Sequence, residues 1–189
     1  MAPATVIYDA NVLYPAPLRD FLIRLAMSGV VRARWTDAIH DEWIRNLLQN
    51  RPDITAQQLA RTRELMNRAV PDCLVSGYEQ LIGKLQSPNP KDRHVLAAAI
   101  HAKANVIITL NIRHFPKAVL APLGIRAQSP DDFVTDLFGD HAEEIHLVAQ
   151  TQRSALTSPA QSVEEFLDTL SSVGLPRIAA LLGLRRGEL

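Results

Sequence analysis

Residues 92–111 read DRHVLAAAIHAKANVIITLN, and the change of pattern inside this stretch sets the fold class. The first half is alanine-rich, with Val95, Leu96, Ala99 and Ile100 at helical spacing, and alanine is the best helix former. From Asn105 the pattern becomes NVIITL, a continuous apolar run rich in β-branched residues. Such a run predicts a strand buried on both faces. A helix that feeds directly into a buried strand, with no hairpin turn between them, is the repeating unit of a parallel sheet.

Reading outward, the same alternation recurs. ATVIYDA (4–10), VVRARW (30–35) and GIRAQS (124–129) are further strand candidates. Between the first two, Pro15 and Pro17 punctuate. LRDFLIRLAMSG (18–29) then carries Leu18, Phe21, Leu22, Leu25 and Ala26 at helical spacing, with Gly29 as a stop. Thr36 is placed to cap a helix that sets Ile39, Trp43, Ile44, Leu47 and Leu48 on one face. TAQQLARTRELMNRAV (55–70) is a second amphipathic helix, capped by Thr55. PDCLVSGYEQLIGKL (71–85) reads as an extended piece followed by a helical turn, and QSPNPKD (86–92) as a proline-rich breaker. SPDDFVTDLF (129–138) opens a helix with Ser129 as N-cap, Pro130 at the first helical position and acids in the first turn.

The expected fold is therefore α/β, a central parallel sheet covered by helices on both faces. It is expected to end near Gly139, giving a domain over 1–139. Residues 140–189 contain only helical patterns. SVEEFLDTLSSVG (162–174) has a capping box, Ser162 with Glu165, and LPRIAALLGL (175–184) opens with proline near a helix start. TSPAQS (157–162) is a polar hinge. The reading is a small helical extension.

Composition narrows the function. With 189 residues and 47% hydrophobic content, there is enough chain for one domain with a sizeable core. Twenty basic residues balance twenty acidic ones, which argues against a binder that relies on phosphate neutralisation alone. The single Cys73 excludes an intramolecular disulfide and a cysteine-cluster zinc site, and reads as a small buried residue. No apolar run approaches the roughly 20 residues that span a bilayer. The opening MAPATVIYD lacks a basic segment followed by an apolar one, so a cytoplasmic location is expected.

Ligands of open parallel sheets bind beyond the carboxyl ends of the strands. Asp9 stands there, after the first strand, and Asn111 after NVIITL. Glu42 lies one turn after Ile39, at the border of an apolar helix face. Asp92 lies in the first turn of the alanine-rich helix. Carboxylate and amide oxygens suit hard cations such as magnesium or manganese. Each residue also has a plainer reading. Asp92 complements a helix dipole, Glu42 is a solvated residue, and Asn111 serves a turn. Asp9 is the hardest to explain away, because a carboxylate ending a buried strand is costly to desolvate without a partner.

Taken together, VIYDANVLYP (6–15), DEW (41–43), PKDRHVLAAAIHAKANVIITLNIRHFP (90–116) and SPDDFV (129–134) resemble the PIN-domain family, and within it the VapC-type toxin ribonucleases of prokaryotic toxin–antitoxin pairs. The likeness covers roughly residues 4–138. It implies an αβα sandwich and a metal-dependent endoribonuclease that leaves 5′-phosphate and 3′-hydroxyl ends. Asp9, Glu42 and Asp92 match the family's first three acids and would hold magnesium or manganese. Asn111 falls where a fourth acid is common, which lowers the charge of the site. Thr109 matches a position that orients an acid or a water, and Asn11 is expected to steady the loop or the neighbouring carboxylate. Arg93, Arg113, His114 and Lys117 are candidates to contact the RNA backbone. His94 and His101, seven apart on one helix face, are read as packing residues. The resemblance further implies an antitoxin partner and a homodimer, and the tail resembles an extension found in longer members.

Two other enzyme classes fit poorly. Phosphatases of the haloacid-dehalogenase type need an aspartate two residues after the first acid, where this chain has Asn11. A nucleotide-binding α/β protein needs a glycine-rich loop after the first strand, and DANVLYPAP contains no glycine. A PIN-fold protein that binds nucleic acid or a partner without cleaving stays open as the alternative.

Overall fold

The computed structural model describes residues 3–85 and 89–189. The first three residues of the expected breaker, 86–88, and residues 1–2 of the N-terminal stretch lie outside the described residues. In chain order the elements are β1 (Ala4–Tyr8), α1 (Ala10–Leu13), α2 (Ala16–Met27), β2 (Val31–Arg34), α3 (Asp37–Asn50), α4 (Ala56–Ala69) and α5 (Glu79–Ile82). After a 3-10 turn, Pro90–Asp92, come α6 (Arg93–His101) and β3 (Val106–Ile108). A second 3-10 turn, Ile112–His114, leads to α7 (Lys117–Leu120), β4 (Arg126–Gln128), α8 (Pro130–Ala155), α9 (Val163–Ser172) and α10 (Pro176–Gly183).

The four strands form one parallel sheet in the order β2-β1-β3-β4. The register pairs Val6 with Ala33 and with Val106, and Ile107 with Ala127. Successive strand residues point to opposite faces. Val6, Ile7 and Tyr8 are all fully buried, as are Val106, Ile107 and Ile108. Both faces of the sheet are therefore covered by helices, as the unbroken apolar runs require. The chain leaves β1 for β2 on one side and later reaches β3 on the other. The crevice between the carboxyl ends of β1 and β3 is thus the topological switch point, where ligands of such sheets sit.

Helix caps follow the sequence closely. Thr36 Oγ1 accepts from Ile39 N, Thr55 forms a capping box with Gln58, and Ser162 forms one with Glu165. Ser129 caps α8. Gly29 and Gly174 follow their helices with φ of 81° and 106°, a region that favours glycine. Cys73 is buried, and burial raises its thiol pKa to about 11.

Three local readings are corrected. Leu48 is exposed, because the buried stripe of α3 runs through Ile39, His40, Trp43 and Leu47 and position 48 turns past it. Asp92 closes a 3-10 turn capped by Asn89 and is the N-cap residue of α6, ahead of its first turn. The segment before Pro15 holds a helical turn, α1, which takes in Ala10, the last residue of the expected strand ATVIYDA.

Buried polar groups fix the base of α3. Trp43 Nε1 donates to His40 Nδ1 at 3.1 Å. His40 Nε2 therefore carries the proton and donates to Asn67 Oδ1 at 2.9 Å, which also accepts from Trp35 Nε1 at 2.8 Å. His40 and Trp43 flank Glu42, so the backbone that presents this acid is held on both sides.

Helix α8 runs through the expected boundary at 139/140, and its one non-helical residue is His141 (φ −133°, ψ 32°). Beyond it the tail packs back: α8 lies on α2, and α10 on α8 and α9. Phe166, Leu170, Leu175, Ile178 and Leu182 join the same core as the sheet. Among the described residues no helix is long and apolar enough to cross a membrane.

Candidate metal centre

Asp9 ends β1 and is only 3% exposed. Its backbone N–H continues the ladder to Ile108 O at 3.0 Å, and its φ and ψ of −74° and 157° make it the N-cap of α1. Oδ1 accepts from Ala10 N at 2.7 Å. Oδ2 accepts from Asn11 Nδ2 at 2.6 Å and from Thr109 Oγ1 at 2.7 Å. Asn11 Nδ2 also donates to Thr109 Oγ1 at 2.9 Å, while its Oδ1 accepts from Leu110 N at 2.9 Å. Thr109 Oγ1 further accepts from Asn111 N at 3.0 Å. The hydroxyl thus gives one hydrogen bond and accepts two, its full capacity. One network pins the loop after β3 to the loop after β1.

Burial pushes the Asp9 carboxyl up to about 6. The hydrogen bonds from Thr109 and Ala10 oppose that rise, and the charges of Glu42 and Asp92 add to it. The three acids therefore share one field. Asp92 is raised too, first by burial and then by Glu42, with His114 opposing.

The other acids have neighbours that the sequence did not announce. Glu42 Oε2 lies 3.4 Å from His94 Nε2, and Asp92 Oδ2 lies 2.9 Å from His114 Nδ1. The second contact is close without being a well-formed hydrogen bond, and Asp92 Oδ2 is left buried and unsatisfied. His94, read as a packing residue, stands against a site acid, and spacing along the helix carries no signal for it. Asn111 is half-buried and makes no side-chain cap for the turn it opens. Arg93 is half-buried with Nε unpartnered. Arg113 and Lys117 are exposed on the turn and helix that follow Asn111. His114 faces Asp92 instead of joining them.

Asp9, Asn11, Thr109 and the Asn111 backbone are thus in direct contact, with Glu42 and Asp92 in electrostatic reach. Among the described residues, no group of three His, Cys, Asp or Glu side chains converges to hold a metal ion as they stand. The donor set nonetheless fits a hard cation. It consists of oxygen ligands, Asp9 Oδ1 keeps a free lone pair, Asp92 Oδ2 lacks a proper partner, and the acids repel one another.

The raised Asp9 carboxyl makes a pH prediction with a definite sign. The folded state holds this proton more tightly than the unfolded chain, whose pKa is near 3.8. In metal-free protein this group's stabilisation is fully present below about pH 4. It is lost as pH rises to about 6, a difference of about 3 kcal/mol. Denaturant unfolding in EDTA from pH 4 to 7 will show wild type falling relative to Asp9→Asn. Parallel curves would mean that Asp9 does not titrate as a buried acid.

Asp9 stands buried at the switch point of an all-parallel sheet of order β2-β1-β3-β4. The chain belongs to the PIN-domain family, whose model matches residues 5–113. A second model, the VapC50 C-terminal domain, matches residues 130–184. It is similar to a Mycobacterium tuberculosis protein named "Putative ribonuclease VapC50", with 38% identity over 104 residues. That similarity spans 55% of this chain and 60% of the relative. No solved structure matches the chain.

Proposed function

We propose that this chain is a metal-dependent endoribonuclease, the toxin of a toxin–antitoxin pair, which hydrolyses RNA to 5′-phosphate and 3′-hydroxyl ends. The observation that carries the reading is Asp9. It is buried at the switch point, coupled to Glu42 and Asp92, and fixed by Asn11 and Thr109. In this reading residues 1–139 are the nuclease domain and 140–189 its helical extension.

Asp9, Glu42 and Asp92 would hold magnesium or manganese, with Asn111 a neutral neighbour. The bound ion supplies Lewis acidity and positive charge for the phosphodiester. The chain's own residues do the rest. Thr109 and Asn11 hold the Asp9 carboxylate in one orientation, so no rotamer entropy is lost when the ion arrives. Arg113 and Lys117, exposed beside Asn111, would draw in the RNA backbone. His114, held against Asp92, and the half-buried Arg93 would contribute less to that contact. The partners this reading carries are a cognate antitoxin and a second copy of the chain.

The test is incubation of purified protein with an RNA pool in Mg2+ or Mn2+, against EDTA. The expected result is cutting only with the ion, and products that accept adapter ligation through a 5′-phosphate. Cutting that persists in EDTA with cyclic phosphate ends contradicts the proposal. A second reading, RNA binding without cleavage, draws on Asn111 standing in place of an acid and on the histidine contacts of Glu42 and Asp92. It expects retention of RNA on the protein with no new ends.

A further inference from the structure

The tail reaches the candidate site through a specific set of contacts. Helix α10 begins Leu175–Pro176 and has no side-chain cap of its own. The first N–H groups of a helix need an acceptor, and Asp131 supplies it from another helix. Asp131 is buried, and its carboxylate accepts from Arg177 N at 3.0 Å and Ile178 N at 3.1 Å. Arg177 Nε adds a bond at 3.2 Å to Asp131, and its NH2 binds Asp132. Asp131 lies in the first turn of α8, the helix that follows β4, so α10 is anchored near the carboxyl end of the sheet, the end that carries Asp9.

That anchor sets the turn between α9 and α10. A Cβ placed on Gly174 would lie 3.4 Å from Leu110 Cδ2, so the turn backbone rests on the Leu110 side chain. Leu110 sits between Thr109 and Asn111, and its N–H is the one bonded to Asn11 Oδ1. Elsewhere in the tail, Gln152 Nε2 of α8 donates to Pro17 O in the first turn of α2 at 2.9 Å. Arg153 closes the tail on itself, bonding Leu189 O at 2.8 Å and Gln161 O at 3.1 Å.

We infer that the C-terminal helices brace the candidate site, and that Asp131 and Leu110 are positioning residues which hold the loop 109–111 against Asp9 and Asn11. The inference takes from the proposed function only that this loop borders a cation site.

The experiment is amide hydrogen exchange on the full chain in EDTA, with Asp131→Ala and Arg177→Ala beside wild type. The Leu110 and Asn111 amides report the brace, because each is bonded to a side chain of the site network. In Asp131→Ala they are expected to exchange at least about tenfold faster, with Val106–Ile108 unchanged. Arg177→Ala keeps its backbone bond to Asp131 and is expected to show a smaller rise in the same two amides. If Asp131→Ala does not fold, Arg177→Ala together with Leu110→Ala decides. Mn2+ affinity of the folded variants is expected to drop by about tenfold. Faster exchange at Arg177 and Ile178 with Leu110 and Asn111 at wild-type rates overturns the brace. Because exchange is read without RNA or metal, the brace stands or falls separately from whether the wild type cuts RNA.

Discussion

Asp9→Asn lowers ion-dependent RNA cleavage by roughly 10³-fold, about 4 kcal/mol in the barrier. The substitution keeps the size of the side chain and removes its charge. It takes a ligand from the cation and leaves an amide facing donors from Ala10, Asn11 and Thr109, only some of which it can satisfy. Loss of activity through misfolding is not expected. Burial already pushes the Asp9 carboxyl up to about 6, so the folded metal-free protein favours an uncharged group at this position. One strained hydrogen bond costs about 1 kcal/mol, against a gain of similar or larger size from removing a buried charge. The check is single-turnover cleavage of a labelled RNA, with thermal melts of both proteins in EDTA. Cleavage within a fewfold of wild type would remove Asp9 from the site.

Thr109→Val is the second large effect. Valine fills the same space, and residue 109 is fully buried, so neither a cavity nor exposure confuses the result. The change deletes a donor to Asp9 Oδ2 and an acceptor for both Asn11 Nδ2 and the Asn111 N–H. Leaving buried donors unsatisfied costs about 1–3 kcal/mol each, and Asn11 Nδ2 keeps its bond to Asp9, so stability falls by roughly 2–3 kcal/mol. The Asp9 carboxyl loses its strongest opposing hydrogen bond, so its pKa rises further and proton competition with the cation increases. Mn2+ affinity is expected to fall about 10–100-fold, as for other residues that orient a ligand. Thr109→Ser, which retains the hydroxyl, is expected to recover most of it. A Val variant that binds Mn2+ like wild type would show that the hydroxyl does not orient Asp9.

These effects were partly legible in the sequence. The apolar runs ending in Asp9 and in Thr109–Leu110–Asn111 place those residues at one edge of any parallel sheet, because all strands point the same way. The sheet order was not legible. Nothing local in VIYD or VIITLN says that β1 and β3 are neighbours, and it is that adjacency which closes the Asp9–Asn11–Thr109 network. Side-chain pairs between distant segments were equally hidden. Glu42 meets His94 across two helices, and Asp92 meets His114 from the far end of β3.

Where one residue serves two purposes, the sequence showed one of them. Asp9 reads as a strand-end acid and is also the cap that starts α1. Asp131 reads as a first-turn acid of α8, complementing its dipole, while its carboxylate caps α10 some 46 residues later. In both cases local chemistry gave the residue a sufficient explanation, and the tertiary role added to it without changing the local pattern.

The measurement that bears most directly on the cation site is calorimetric titration of metal-free protein with Mn2+, wild type beside Asp9→Asn, at pH 7.5. The wild type is expected to bind with a saturable heat and with little proton release, since a carboxyl with pKa near 6 is already mostly ionised at this pH. The variant is expected to bind at least about tenfold more weakly. Equal, weak heats from both proteins would contradict the assignment of Asp9, Glu42 and Asp92 as a cation site.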